Sequence, residues 1–334
     1  PLPHYFMRIM KKYLIIAFFC VLPLSLVAQE STSAFQILRL PTSAHVAGLG
    51  GENLSTIDDD ASAVLHNPAL LSSVSSGTLG LSFMTYADGA KWMGAQYVRA
   101  FGERHTGAAF VHYMGYGEMT ETDPSGAAIG TFSPKDMVAG VGYSYLLSDR
   151  WAGGAAFKLL YSSIANYHAA AVAVDLGLNY YDEDEDLSLS AALRNAGAQI
   201  KSYDNRTETV PYSFQFGLTK GLEHLPLRFS LTVVDLTRWD KRHYYVPSDK
   251  PMGFGRLALN HLVLGAELLP SDVLTLSVGY NFRRGYELKA AGASHWAGVT
   301  AGIGLNFSQI KLNLAYAQYH KSTASLMGTV AYTF

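Results

Sequence analysis

A chain of 334 residues allows one large domain or two ordinary ones. Hydrophobic residues make up 49% and charged residues only 16%, with 31 glycines and 21 tyrosines; that charge is low for a water-soluble globule of this size and implies a surface partly non-aqueous or unusually apolar. A formal net charge of −2 with no basic stripe argues against binding nucleic acid through phosphate neutralisation.

At the N-terminus Arg8, Lys11 and Lys12 precede the apolar run YLIIAFFCVLPLSLVA, and small Ala28 stands before Gln29. This is the pattern of a cleaved export signal, expected over 1–28, with residues 1–6 ahead of Met7 reading as upstream sequence. A core helix or a membrane anchor competes for the run, but its basic flank, short span and polar QESTS sequel favour a removable signal. Cys20, the one cysteine, lies inside it without the small residues that precede a lipid-modified cysteine. The mature chain is therefore expected to form no disulfide and no cysteine-ligated metal site.

Residues 29–76 do not alternate. The stretch AFQILRLPTSAHVAGLGGENLSTIDDDASAVLHNPALLSSVSS is rich in glycine and small residues. Asp58, Asp59 and Asp60 precede a helix-compatible ASAVLH, where a carboxylate caps free N–H groups, and Pro68 is expected to stop that turn. Calcium binding by the three acids is the competing reading, but they lack the alternating oxygen ligands of a known loop.

From residue 77 onward a period of two takes over. Leu274, Leu276, Val278, Tyr280 and Phe282 share one face, with Thr275, Ser277, Gly279, Asn281 and Arg283 on the other. Tyr212, Phe214, Phe216 and Leu218 oppose Ser213, Gln215, Gly217 and Thr219 in the same way. The pattern predicts fourteen strands. The first seven cover 77–87, 90–101, 105–116, 136–147, 150–161, 169–181 and 186–195. The second seven cover 211–220, 225–235, 257–268, 272–283, 297–308, 310–318 and 323–334. Segments of about ten residues with one apolar and one polar face are what a membrane barrel requires, because lipid satisfies no backbone group and forbids an open sheet edge. A soluble sandwich alternates too, so the connections discriminate. One set is short throughout, whereas the other includes 117–135, 196–210, 236–256 and 284–296, a short and long alternation expected of periplasmic turns and extracellular loops. The expected fold is all-β: a 14-stranded antiparallel transmembrane β-barrel over 77–334, with 29–76 as a plug or hatch in a lumen too wide for its own side chains to fill. Tyr332 and Phe334 end the last strand on its apolar face, as expected of an interfacial girdle, and this ending resembles the C-terminal assembly signal of bacterial outer-membrane chains.

Catalytic motifs are weak. Ser308-Gln-Ile-Lys311 matches Ser-x-x-Lys, but no Lys-Thr-Gly accompanies it and the motif sits in a predicted tight turn. The eleven histidines show no metal-ligand spacing, and His112 and His261 read as lumen or interface residues. GLGGENLS follows no Rossmann strand, and the acidic run at 181–186 reads as a solvated turn. No catalytic residue, cofactor or metal ligand is expected. The long loops are the expected working surface, through Arg238, Trp239, Arg242, Tyr244 and Tyr245 in one and Arg283, Arg284, Tyr286 and Trp296 in another, residue types enriched at protein-binding hot spots. An aromatic girdle, or arginines meeting lipopolysaccharide phosphates, is the competing reading.

Asn67-Pro68-Ala69, after a small-residue segment and ahead of fourteen strands, resembles the hatch of the FadL-type outer-membrane transporters. LRLPTSAHVAGLGGENLSTIDDDASAVLHNPALL and the closing VAYTF are similar to the PorQ family, relatives of PorV in the type IX secretion system of Bacteroidota. The PorQ resemblance implies an outer-membrane member of the surface attachment complex that holds a PorZ-like protein near PorU and PorV. The FadL resemblance implies transport of fatty acids or other hydrophobic solutes, through an apolar pocket joining the loops to the hatch. A polar, sealed lumen would favour anchoring.

Overall fold

The computed structural model describes residues 34–204, 207–245, 252–290, 292, 296–320 and 323–334. The signal segment expected over 1–28, and residues 29–33 of the expected plug, lie outside the described residues.

Fourteen strands close into one antiparallel barrel. They begin with β1 (Thr78–Thr85), β2 (Lys91–Ala100) and β3 (His105–Gly115). A separate two-stranded hairpin, β4 (Met119–Thr122) and β5 (Ala128–Phe132), precedes β6 (Lys135–Leu146), β7 (Trp151–Ile164), β8 (Tyr167–Asp182) and β9 (Leu187–Lys201). The circuit continues with β10 (Ser213–Leu222), β11 (Leu225–Val233), β12 (Leu262–Ser271), β13 (Leu274–Asn281), β14 (Val299–Asn306), β15 (Ile310–Ala317) and β16 (Ser325–Thr333). Closure is made by β16 against β1, from Thr78 opposite Thr333 to Met84 opposite Met327. The barrel sheet itself therefore has no open edge.

The barrel is inside-out relative to a soluble protein. On β13, Leu276 and Val278 are 38% and 51% exposed while Thr275 and Ser277 are each 9% exposed. Leu81, Val141, Leu159, Leu314 and Val330 likewise face out, and Gln96, Ser144, Gln215, Thr300 and Thr329 are buried in the lumen. Hydrocarbon accommodates the first set; the second finds hydrogen-bond partners only inside. Among the described residues no helix is long and apolar enough to cross a membrane. Exposed aromatics gather where the strands end. Phe101, Tyr143, Trp151, Phe307 and Phe334 ring one end, with Phe334 packed edge-on against Tyr332 at 4.8 Å, and Tyr161, Tyr167 and Tyr316 mark the other. Tyr and Trp favour that depth because their rings are apolar and their tips polar.

Tight connections at 101–104, 147–150, 183–186, 223–224, 272–273 and 307–309 share one end, the turn end; every long connection lies at the other, the loop end. The alternation is less strict than expected. At the loop end β1 and β2 are joined by 86–90 alone, and β7 and β8 by 165–166 alone. Height is built there from the strands themselves, which run 14, 16 and 15 residues in β7, β8 and β9. The first part of the loop expected at 196–210, through Lys201, is therefore strand. β9 passes a bulge at which Asn195 takes φ 56° and continues to Lys201, since a bulge absorbs one extra residue without ending the ladder. Two further loops hold helices. One, Phe254–Leu259, moves the start of β12 from the expected 257 to Leu262. The other, Phe282–Ala290, takes Phe282 and Arg283 out of the strand alternation expected of them; its good helix formers are reinforced by an Arg283–Glu287 pair at 3.0 Å, four residues apart.

Candidate functional site: the plugged lumen

Residues 34–76 lie within the barrel. Helix α1 (Ala44–Gly48) is capped by Ser43, whose hydroxyl accepts from Val46 N. Asp60 accepts from Ser62 N at 2.8 Å and starts the 3-10 turn Ala61–Leu65, the cap expected from the acidic run. Pro68 does not merely stop that turn. It opens a new one, Pro68–Ser73, capped by Asn67, because a proline at the first helical position gives up an N–H that has no partner there anyway.

Small side chains let the plug touch the wall backbone. Thr300 Oγ1 donates to Gly48 O at 2.7 Å and accepts from Gly50 N at 2.9 Å, while Thr329 Oγ1 accepts from Ala44 N at 2.9 Å. Fully buried Asn67 donates through Nδ2 to Leu54 O (3.1 Å) and to Leu178 O of β8 (3.4 Å), and its Oδ1 accepts from Ala69 N (3.1 Å). Ser144 Oγ of β6 donates to Ala69 O at 3.0 Å. Glycines face these contacts from the wall. A Cβ on Gly279 would overlap the Leu49–Gly50 backbone, one on Gly154 Pro68, and one on Gly177 Asn67 Oδ1. The Asn67-Pro68-Ala69 motif thus sits in a groove whose depth requires glycine.

Charge pairs clamp the same plug. His45 lies between Glu267 of β12 (Nε2 to Oε1, 2.7 Å) and Asp58 (Nδ1 to Oδ2, 3.1 Å). The other Glu267 oxygen accepts from Arg228 Nε at 2.7 Å, and Arg228 Nη1 donates to Ile57 O at 3.2 Å. Burial by itself would depress the imidazole, but the Glu267 and Asp58 carboxylates outweigh it and raise the pKa from 6.5 to about 9. Arg194 Nη1 meets Glu52 at 2.7 Å and Lys311 Nζ meets Asp59 at 3.1 Å. In the wall beside them, Lys158 and Asp175, 1% and 0% exposed, pair at 2.5 Å. The bulge residue Asn195 completes that site by accepting from Lys158 Nζ at 2.7 Å and donating its N–H to Asp175 at 2.6 Å.

Toward the loop end the plug leaves a cavity of ≈ 380 Å³. Ile37, Leu38 and Leu40 supply apolar surface, Tyr86, Tyr116 and Tyr319 tyrosine rings, and Ser213, Gln215 and Asn281 neutral polar groups. Its charged lining is Arg39, Arg194, Arg283 and Arg284 with Glu52, Asp235 and Glu287. Arg283 Nη1 reaches Asp235 at 3.0 Å and Arg39 approaches it at 3.7 Å. Burial opposes ionisation of Asp235, but these guanidiniums hold its carboxyl below the usual range. Burial lowers Arg39 itself to about 10.

The loop residues expected to bind a partner divide into two groups. Arg283 and Arg284 turn inward and line the cavity. Tyr244 is buried at 6% exposure beneath the Arg283 guanidinium, with its OH donating to Arg238 O at 2.9 Å, so it braces the loop and presents no surface. Arg238 stacks over Tyr212, and Tyr286 lies under Arg256. Arg242 belongs to the 3-10 turn Lys241–His243. Trp239, Tyr245 and Trp296 are exposed, at 43%, 54% and 73%. Trp239 stacks on Phe254 at 5.9 Å and on buried His261 at 4.4 Å. His112 is buried in the lumen and pairs with Gln96 at 2.9 Å. Ser308 lies in a tight turn at the turn end and Lys311 is engaged by Asp59. The plug and wall charges Glu52, Arg194 and Glu267 were missed in the sequence, although a charged residue at a lumen-phase strand position is the signal that marks the last two.

No family model matches the chain, and no curated protein does. Solved structures match over most of its length. The toluene transporter TodX of Pseudomonas putida is 15% identical with a TM-score of 0.57, the match covering 90% of this chain and 99% of that one. A FadL homologue of Pseudomonas aeruginosa is 11% identical with a TM-score of 0.54, covering 88% and 98%. A TodX ΔS2S3 mutant, described as a monoaromatic hydrocarbon channel, is 14% identical with a TM-score of 0.54, covering 89% and 98%. At such identities the likeness is one of fold alone, a closed 14-stranded barrel.

Proposed function

We propose that the chain is an outer-membrane channel for small molecules, with its long loops outside the cell, its termini in the periplasm and the N-terminal plug as its gate. The observation that carries this reading is the ≈ 380 Å³ cavity that opens among the loops and is floored by the plug, within an architecture shared with channels and transporters. Solute would collect in the cavity, and passage would require the plug to leave its seat against Thr300, Glu267 and Ser144. Swelling of proteoliposomes in small sugars and organic acids tests the reading. Swelling above that of protein-free vesicles supports it, and none for any solute rejects it.

A second reading keeps the barrel as an anchor, in which the loops hold a PorZ-like surface protein near PorU and PorV of a type IX attachment complex, in contact with outer-membrane lipid and lipopolysaccharide. It is favoured by the exposed ridge of Trp239 and Phe254, with Tyr245 and Trp296 exposed elsewhere on the loops, and by a plug tied to the wall by several charge pairs. Affinity purification in mild detergent separates the two, since a stoichiometric surface protein supports the anchor.

A further inference from the structure

The neighbours in fold include hydrocarbon channels, yet the cavity of this chain is not an apolar one. Its four arginines face three carboxylates, and the pairing leaves one cation over. Arg194 is held by Glu52, Arg283 by Asp235 and Glu287, and Arg39 approaches Asp235. Among the described residues Arg284 meets no carboxylate. Its guanidinium lies over the Tyr319 ring at 4.2 Å, and its backbone N–H donates to Asn281 Oδ1 at 2.9 Å, which fixes where the helix Phe282–Ala290 presents it.

The hydrogen-bond inventory of the same lining points the same way. Among the described residues, buried Arg284 Nη1, Arg194 Nε and Arg39 Nε have no hydrogen-bond partner, and the Tyr319 O–H finds no acceptor. Against these stands, among the described residues of the lining, one orphaned acceptor, Gln215 Oε1. Burial raises the Tyr319 phenol to about 12, so at neutral pH it stays a donor. Unmet buried donors are costly, and a group that accepts from several of them at once gains what they lack. A hydrocarbon would leave every one of them unsatisfied.

We infer that this cavity binds a small polar organic anion, a carboxylate or similar oxyanion that also carries hydroxyl groups, with Arg284 as its charge partner, Tyr319 OH and Arg194 Nε as further donors and Gln215 accepting a ligand hydroxyl. This rests on the channel reading for its route of entry but not for binding itself. The guanidinium supplies a planar donor edge matched to two carboxylate oxygens, and the tyrosine beneath it holds that plane in place.

The test uses the full chain in detergent and titration calorimetry with four probes: D-gluconate, lactate, D-glucose and toluene. Saturable binding of gluconate or lactate, with glucose and toluene weaker, supports the inference. Arg284→Gln should then weaken the anion by roughly tenfold or more, the usual worth of a hydrogen bond to a charged group, and Tyr319→Phe by less, with heat-modifiable gel migration confirming that both variants are folded. Glucose binding as tightly as gluconate, toluene binding in preference, an unchanged anion affinity in Arg284→Gln, or no binding of either anion overturns it. Proteoliposome swelling by the wild-type chain is scored separately. Swelling without anion binding sinks this inference and leaves the channel, whereas anion binding without swelling sinks the channel and leaves the site.

Discussion

Substituting His45→Gln removes the one proton-dependent cation by which the plug helix grips the wall. In the seated plug His45 is flanked by Glu267 and Asp58, with Arg228 on the far side of Glu267, and its pKa rises from 6.5 to about 9. That difference corresponds to about 3 kcal/mol favouring the seated state when the imidazole is protonated. The sign follows from the direction. The contribution is complete below pH 6.5, the value for an unseated histidine, and is lost as pH rises through 9. Hydrogen exchange of the amides of residues 44–51, corrected for intrinsic rates, reads the seating equilibrium. Wild-type protection should fall on the order of 100-fold between pH 6 and pH 10, and His45→Gln should start at the lower level and stay flat. Equal pH dependence in both proteins would refute the clamp.

Other expectations follow from the same geometry. Gly177→Ala places a methyl against Asn67 Oδ1 and should weaken seating of the Asn67-Pro68-Ala69 turn by about 1–3 kcal/mol, read as faster exchange at Ala69 with heat-modifiable migration of the barrel intact. Leu314→Arg, on a side chain 62% exposed to lipid, should cost about 2–4 kcal/mol in urea unfolding from vesicles, whereas Ser277→Ala on the lumen face should cost less than about 1 kcal/mol. Lys158→Met strands a buried Asp175 and should cost about 3–5 kcal/mol, most of it recovered by adding Asp175→Leu. Trp239→Ala with Phe254→Ala should leave barrel stability unchanged and, if the loops hold a partner, abolish its retention on affinity resin.

The barrel was legible because lipid imposes one rule on every strand. Leu276 and Val278 face out and Thr275 and Ser277 face in for the same reason at each repeat, so a period of two fixes both strand and face. What failed was whatever alternation does not encode. The bulge at Asn195 and the continuation of β9 to Lys201 depend on a left-handed residue and a buried Lys158–Asp175 pair supplied by neighbouring strands. The helices in the loops depend on local capping and pairing, which an alternating pattern running into them conceals. The cavity was out of reach for a different reason. Arg39 and Glu52 come from the plug, Arg194 from β9, Arg284 from a loop helix and Tyr319 from the last loop, and only closure of the barrel brings them together. Reading Arg283, Arg284 and Tyr244 as surface residues followed from composition, which reports that a loop is rich in Arg and Tyr but not which way each turns.

The claim on which the rest depends is that the plug is a gate on a solute path. Cysteines at Ser55→Cys and Thr219→Cys, where the plug hydroxyl lies 2.8 Å from that of β10, would lock plug to wall when oxidised. In proteoliposomes made with this double variant, solute flux should be present under reducing conditions and fall to the protein-free level on oxidation. Flux indifferent to the cross-link would contradict the account.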